Sequence, residues 1–203
     1  MKRVLITGKT GFIGSKLKGK KFEGRVTSYK KLLVQTKNVK GIVHLAAKAN
    51  RRRCEENPKE AIETNLIGLC NVLEVALKRG LWVLFVSTFQ VRDRNLYGLT
   101  KLIGEELCKL YEEKGVDVKI IRLPIVYGPN DNPDKVVTKI LNEIKAGKTP
   151  KINTTNRFYF AYVNDVIKAI ENEVDIFNGS WGKKYSLTDL VNGVRKCLHE
   201  EKK

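Results

Sequence analysis

Val4-Leu-Ile-Thr7-Gly8-Lys9-Thr10-Gly11-Phe12-Ile13-Gly14 decides how this chain is read. A short β-rich apolar run ends in three glycines spaced three apart, all within the first 14 residues. The spacing predicts a strand, a tight turn and the start of a helix. Each glycine then has its own part to play, in the turn itself, in close approach of the backbone to a pyrophosphate, or in close packing of helix on strand. The anion sits on free N–H groups at the helix start. Gly8, Lys9, Thr10, Gly11, Phe12, Ile13 and Gly14 are therefore candidate cofactor-binding residues, and a plain glycine-rich turn is the bland alternative.

Working outward, apolar runs alternate with helical patterns. Arg25–Tyr29 reads as a second strand, Gly41–Ala47 as a third, Leu81–Ser87 as a continuous buried strand, and Val116–Leu123 as another. Helices are predicted from about Pro58 to Lys78 and Tyr97 to Lys114, with Pro58 suiting a first turn and Gly80 and Gly115 suiting ends. This alternation predicts an α/β fold, a Rossmann-type doubly wound parallel sheet with helices on both faces. Beyond Pro124 the pattern loosens into a helix from about Asp134 to Ala146, an aromatic strand Arg157–Val163, a helix from Asn164 and a last helix Ser186–Glu200. The expected division is 1–123, an NAD(P)-binding core, and 124–203, a reduced substrate-binding lobe with segments returning to the core.

Composition narrows the class. No apolar run reaches the roughly 20 residues of a bilayer span, and Met1-Lys-Arg3 leads straight into a strand without a cleavage site, so the cytoplasm is the expected location. The four cysteines (Cys54, Cys70, Cys108, Cys197) lie far apart without metal-ligand spacing. Cys70 and Cys108 read as small buried hydrophobes, and no metal is expected. The net charge of +17 is unusual. It suits attraction of anionic small molecules or the Lys/Glu-rich surface of a thermophile. The lysines run along the whole chain with few aromatics among them, so a nucleic-acid partner is not expected.

A carboxylate ending the second strand would hold the adenosine ribose of NAD. The stretch Val26–Lys31 has none, and Lys30, Lys31 and Lys9 are placed to meet a 2′-phosphate. NADP is therefore slightly favoured over NAD, with simple solvation of these lysines as the alternative. Arg51-Arg52-Arg53 reads either as a grip on a diphosphate or as a solvated loop balanced by Glu55 and Glu56. His44, inside an apolar strand, reads as structural.

With these residues in place, the chain resembles the extended short-chain dehydrogenase/reductases, including nucleotide-sugar epimerases, dehydratases and dehydrorhamnose reductases. The resemblance runs in order through GKTGFIG, Ile42-Val-His-Leu45-Ala46-Ala47, Asn65-Leu-Ile-Gly68 with Asn71-Val-Leu-Glu74, Phe85-Val-Ser87-Thr88, Tyr97-Gly-Leu-Thr-Lys101, Arg122-Leu-Pro124-Ile-Val126-Tyr127-Gly-Pro129, Tyr162-Val-Asn-Asp165-Val and Ser186-Leu-Thr-Asp-Leu190. With seven tyrosines and 28 lysines in 203 residues, one YxxxK match is expected by chance; its place after the serine-bearing strand is what carries weight. The resemblance implies catalysis by Thr88, Tyr97 and Lys101, and cofactor contacts from Leu45, Ala46, Ala47, Asn65, Ser87, Tyr97, Lys101, Pro124 and Val126. Tyr97 would act as acid/base, with a nearby ammonium and the nicotinamide lowering its pKa. Thr88, or else Ser87, would hydrogen-bond the substrate oxygen. Asn65 either orients this pair or satisfies a neighbouring loop.

Three departures from the family pattern stand out. Eight residues separate Thr88 from Tyr97, Tyr29–Gly41 is too short for the usual helix and strand, and the last lobe is small. The reading is an NAD(P)-dependent oxidoreductase, epimerase or dehydratase acting on a nucleotide sugar or related carbonyl or hydroxyl. Its rivals are a dinucleotide sensor without turnover and a nucleic-acid-binding protein. The apolar surplus of the two long helices and the resemblance imply a homodimer. No membrane partner is expected.

Overall fold

The computed structural model describes residues 3–152, 156–172 and 181–200, without the side chains of 197–200. It divides into two compact units, one comprising the described residues through Leu123 with 167–172, the other Pro124–Val166 with 181–200.

The first unit is built on a five-stranded, wholly parallel sheet. Its strands are β1 (Val4–Thr7), β2 (Lys20–Lys21), β3 (Gly41–His44), β4 (Trp82–Thr88) and β5 (Val118–Leu123), in the order β2-β1-β3-β4-β5. Central strands β1 and β3 are buried along their whole length, as parallel strands covered on both faces must be. Helices α1 (Tyr29–Gln35), α2 (Arg51–Glu56), α3 (Pro58–Ile62), α4 (Gly68–Arg79) and α5 (Leu96–Glu113) make the connections. A π-helical turn, Glu63–Ile67, joins α3 to α4. The core gathers Leu5, Ile42, Val83 and Phe85 from the sheet with Leu69, Val72, Leu73 and Cys108 from α4 and α5. Gly104 lets α5 come close, since a Cβ there would lie 2.8 Å from the Phe85 ring.

Two expectations about the first sixty residues are corrected. Arg25–Tyr29 is not a strand; the second strand is Lys20–Lys21, paired as Leu5 with Lys20 and Ile6 with Lys21. Tertiary pairing overrides the poor strand propensity of lysine. Val26, whose β-branched side chain suggested a strand, instead packs on Gly68 of α4, and its carbonyl accepts from Asn71 Nδ2 at 3.1 Å. The glycine loop also opens no regular helix. Residues 9–18 form successive turns, with Ser15 N donating to Gly11 O at 2.9 Å and Leu17 N to Ile13 O at 3.3 Å. Only five residues lie between Gly14 and β2, too few for a helix to develop. Lys21 Nζ closes the turns by donating to Gly14 O (2.6 Å) and Leu17 O (2.5 Å). After α1 the chain goes directly into β3, so β2 is an edge and no described strand lies outside it.

The second unit holds β6 (Ile125–Tyr127), α6 (Val136–Lys145), β7 (Arg157–Phe158), β8 (Phe160–Tyr162), β9 (Tyr185–Ser186) and α8 (Leu187–Glu200); α7 (Val163–Glu171) starts in it. The expected aromatic strand splits in two: β8 pairs parallel with β6, and β7 pairs antiparallel with β9. α8 begins with a reciprocal cap, Asp189 Oδ2 accepting from Ser186 N at 2.8 Å and Ser186 Oγ from Asp189 N at 3.1 Å. Between α6 and α8 lies an apolar cleft of about 530 Å³, lined by Tyr127, Leu141, Phe160 and Leu190 among others.

Candidate active site

Parallel strands place their carboxyl ends, and the loops that follow, along one rim of the sheet. Every candidate from Gly8 to Lys101 except Lys30 belongs to such a strand end, to the loop after it or to a helix entered from that loop. Gly8 leaves β1 at φ +73°, and a Cβ there would stand 2.8 Å from Ala46 N. At Gly14 a Cβ would come within 2.2 Å of Gly8 O. Both glycines are required by the fold. Gly11 is different: it is exposed, with ordinary φ, and a Cβ would meet only Gly8 O at 3.3 Å. The open surface above Gly11 is the space a diphosphate needs.

Below the loop, the Thr7 hydroxyl accepts from Leu45 N and Ala46 N, both at 3.1 Å, and lies 2.9 Å from His44 Nδ1. Having accepted twice, it donates to Nδ1, which places the ring proton on Nε2. His44 is fully buried and stacked on Phe85, its Nε2 is without a partner, and burial with the nearby Lys101 charge lowers its pKa to about 3. It stays neutral, a structural residue.

The relocated second strand supplies the carboxylate that Val26–Lys31 lacks. Glu23 is exposed, stands two residues past β2, and pairs with Lys9 of the glycine loop. Lys30, by contrast, ends no strand; it lies exposed in the first turn of α1. The observation that tilted the reading toward NADP thus falls. Sequence reasoning misses Glu23 because it places the strand five residues late; its being the only acid before Glu55 is the signal.

α5 carries the candidate catalytic residues Tyr97 and Lys101. Asn95 caps it, accepting from Gly98 N at 2.9 Å, and Gly98 has no Cβ because Gln90 O would stand 2.1 Å away. The short segment after β4 thereby folds as a 3-10 turn, Phe89–Arg92, tucked against α5. Tyr97, Lys101 and Glu105 follow at successive turns, all buried. Burial pushes the Tyr97 phenol up to about 12; the neighbouring Cys54 adds to the rise and a hydrogen bond with Thr88 opposes it. Lys101 Nζ donates to Val86 O at 2.7 Å and sits 4.6 Å from the Phe85 ring centre; burial brings its pKa down to about 8, against the pull of Glu105. Thr88 and Tyr97 are therefore brought together, while the ammonium rests on the strand beneath them.

Ser87 faces the other way. Its hydroxyl donates to Glu105 Oε1, and Glu105 also accepts from Arg122 Nε at 2.8 Å and Nη2 at 2.5 Å. This bidentate pair removes Ser87 from contention as the substrate-facing hydroxyl. Asn65, in the π-helical turn, accepts from Lys48 N at 2.7 Å and donates to Lys48 O at 3.2 Å and Thr100 Oγ1 at 2.9 Å. Thr100 in turn donates to Tyr97 O at 2.9 Å. Asn65 thus satisfies the loop after β3 and ties it to the first turn of α5 through Thr100. Sequence reasoning also misses Cys54, packed on Tyr97, and Glu105, whose position one turn beyond Lys101 is the available signal.

Leu45, Ala46 and Ala47 are half-buried at the end of β3, beside the glycine loop. Arg51–Arg53 lie on the exposed face of α2, with Arg52 Nε paired to Glu56 at 2.7 Å. Pro124 and Val126 fall in the second unit, where Val126 is buried opposite Ala161. Cys54 and Cys108 are buried free thiols and Cys70 is half-buried; Cys197 lies outside the described side chains. Among the described residues no acidic, His or Cys group is arranged to hold a metal, and no helix is long and apolar enough to cross a membrane.

Comparison with known proteins agrees with this fold. The model of the NAD dependent epimerase/dehydratase family matches residues 23–172, starting just past the glycine loop. A putative UDP-glucose 4-epimerase of Methanocaldococcus jannaschii is 26% identical over 249 residues, covering 95% of this chain and 81% of that protein. UDP-glucuronate 4-epimerase 6 of Arabidopsis thaliana is 30% identical over 176 residues, 73% of this chain; the match spans 38% of that protein's length. Among solved structures, L-threonine dehydrogenase from Phytophthora infestans has a TM-score of 0.85 at 25% identity, covering 97% of this chain and 82% of its own. MoeE5 in complex with UDP-glucose and NAD has a TM-score of 0.80 at 22% identity, covering 96% and 81%, a likeness of fold.

Proposed function

Because the chain belongs to the NAD dependent epimerase/dehydratase family, we propose that it is an NAD-dependent enzyme acting on a hydroxyl or carbonyl of a nucleotide sugar, with Tyr97 as acid/base. The observation that carries this reading is the buried Thr88–Tyr97 pair at the same rim as the open glycine loop. Bound NAD supplies the hydride acceptor and donor. The backbone N–H groups around Gly11 hold its diphosphate. Glu23 accepts from the adenosine ribose and repels a 2′-phosphate, which favours NAD over NADP. Lys101 keeps two of its three N–H donors for the nicotinamide ribose.

At neutral pH Tyr97 is protonated, ready to give its proton to a substrate oxygen. To take one, the phenol needs positive charge nearby; the nicotinamide ring and Lys101 provide it. Thr88 holds the substrate oxygen as charge develops there. In this reading the first unit is the cofactor-binding part and the second the substrate lobe. Ile62 and Ile67, with Leu99, Leu102, Ile103 and Leu110 of α5, expose apolar surface suited to a homodimer.

Calorimetric titration with NAD, NADH and NADPH, followed by incubation with UDP-glucose and UDP-glucuronate and chromatography of the products, tests the reading. NAD binding that Gly11→Asp abolishes and Tyr97→Phe preserves, with turnover lost in Tyr97→Phe, is the expected result. No binding of any dinucleotide ends the proposal. Binding without turnover on any nucleotide sugar leaves the sensor in its place.

A further inference from the structure

The charge of this chain is not evenly dispersed. Met1 to Cys54 hold 16 of the 39 Lys and Arg but only one of the 22 Asp and Glu, Glu23, so 15 of the 17 excess charges belong to that stretch. The lysines do run along the whole chain; it is the carboxylates that are missing from its first quarter.

Topology gathers much of this charge on the rim opposite the active site. In a parallel sheet, residues just before each strand share one end. Across the feet of β2, β1, β3, β4 and β5 stand Lys18 and Lys20, Arg3, Lys40, Trp82 and Asp117. Helices α1 and α4 return to the same end and deliver Lys37 and Arg79 there. Lys20 Nζ donates to Gln35 O at 2.7 Å, Arg3 Nε to Asn38 O at 3.2 Å, and Arg79 Nη2 to Leu33 O at 2.9 Å, which ties these elements together. Arg3, Lys18, Lys20, Lys37, Lys40 and Arg79 are all exposed, and none forms an ion pair among the described residues. Among the described residues acid returns toward β5, with Asp117 and, at the end of α5, Glu112 and Glu113.

The row ends on an aromatic ring. Trp82 is half-buried and packs on the neighbouring strand where Gly41 has no side chain; a Cβ there would lie 2.1 Å from the indole. We propose that this amino-terminal rim of the sheet binds single-stranded nucleic acid, with phosphates along Lys18, Lys20, Arg3, Lys37, Lys40 and Arg79 and a base on Trp82. Basic side chains that track a backbone beside an aromatic platform are the two components such binding needs. A membrane surface requires an apolar face to insert, yet Val34 is the only large hydrophobic exposed in this quarter among the described residues. An acidic protein partner is disfavoured for the same reason, because protein interfaces are anchored on apolar and aromatic groups and are poor in lysine. The rim lies opposite the glycine loop and Tyr97, so the dinucleotide and the nucleic acid do not compete for one site.

The test is fluorescence anisotropy of a labelled 20-nucleotide single-stranded RNA with the full chain, between 50 and 200 mM salt. Six phosphate contacts predict a log–log salt slope of about −4, a loss of a few hundred-fold over that range. A Lys18→Glu, Lys37→Glu, Lys40→Glu variant is compared with Lys59→Glu, Lys139→Glu, Lys148→Glu, which reaches the same net charge away from this row. Loss of binding in the first variant alone, with dinucleotide affinity unchanged in both, is the expected result. Equal weakening in both, tighter binding of a duplex, or no binding at 50 mM salt overturns the proposal. Should the first variant lose its fold by circular dichroism, the glutamine versions of the same three lysines, which flatten the slope by about 2, replace it. Trp82→Phe, which keeps a ring, must bind within a few-fold of the parent while losing the quenching of indole fluorescence by RNA; unchanged quenching also overturns the role of Trp82.

Discussion

The glycine loop and the buried stripe of α5 lie at the same rim of one sheet and are made on opposite principles. Around Gly11 side chains are absent and the backbone is left open. Along Tyr97, Lys101 and Glu105 polar side chains are packed in, and nearly every one has its partner. In the proposed function the loop binds by what it leaves out. The stripe acts through groups whose protonation is set by burial and by the neighbours that burial brings close. A methyl group added at Gly11 should therefore be felt as lost ligand, and a partner removed from the stripe as lost stability or rate.

The largest expected effect breaks the stripe at its chemistry. Tyr97→Phe keeps the ring and removes the proton; turnover falls by about 10²–10⁴-fold while dinucleotide affinity stays within a few-fold. A fall in affinity as large as the fall in rate would show that the phenol serves binding rather than chemistry. Next comes Glu105→Gln, which leaves Arg122 buried with half of its bidentate partner. Chemical denaturation should record a loss of about 3–5 kcal/mol, and a loss below about 1 kcal/mol would mean that the pair is as dispensable as a surface bridge.

Acid probes the floor beneath both regions. His44 is neutral in the folded chain down to a pH of about 3, whereas the unfolded chain protonates it near its ordinary value of 6.5. Between those values the unfolded state binds the extra proton, so stability is complete above pH 6.5 and declines as pH falls through the window. The decline amounts to on the order of a few kcal/mol. Urea unfolding at a series of pH values should show a flatter curve for His44→Asn over pH 6.5–4, and parallel curves would refute the assignment.

The smallest effects sharpen the contrast within the loop itself. Gly14→Ala forces a Cβ against Gly8 O and should cost about 1–3 kcal/mol. Gly11→Ala has room, and thermal melting should move little while dinucleotide affinity drops. Equal destabilisation by the two would mean that Gly11, too, is there for the fold.

The sequence was most legible where one principle ruled. Buried parallel strands such as Val4–Thr7 and Trp82–Thr88 announce themselves as continuous apolar runs, and α5 by its helical pattern and the glycine just beyond its end. It misled where local preference and tertiary pairing disagreed. Val26-Thr27 has the composition of a strand and Lys20-Lys21 has not, yet it is the lysines, separated from the end of β1 by 12 residues, that take the free edge of β1. That single misplacement hid Glu23, the carboxylate proposed to meet the ribose. In the site, residue types were readable and partners were not: nothing in the spacing of Ser87, Glu105 and Arg122 says that they meet.

Thr7 has a consequence beyond holding His44. By accepting from both Leu45 N and Ala46 N, its one hydroxyl fastens the start of the loop to the end of β3, so Gly8 has its place before any anion arrives. For the diphosphate proposed to settle there, little conformational entropy is left to lose, and more of the contact energy survives as affinity.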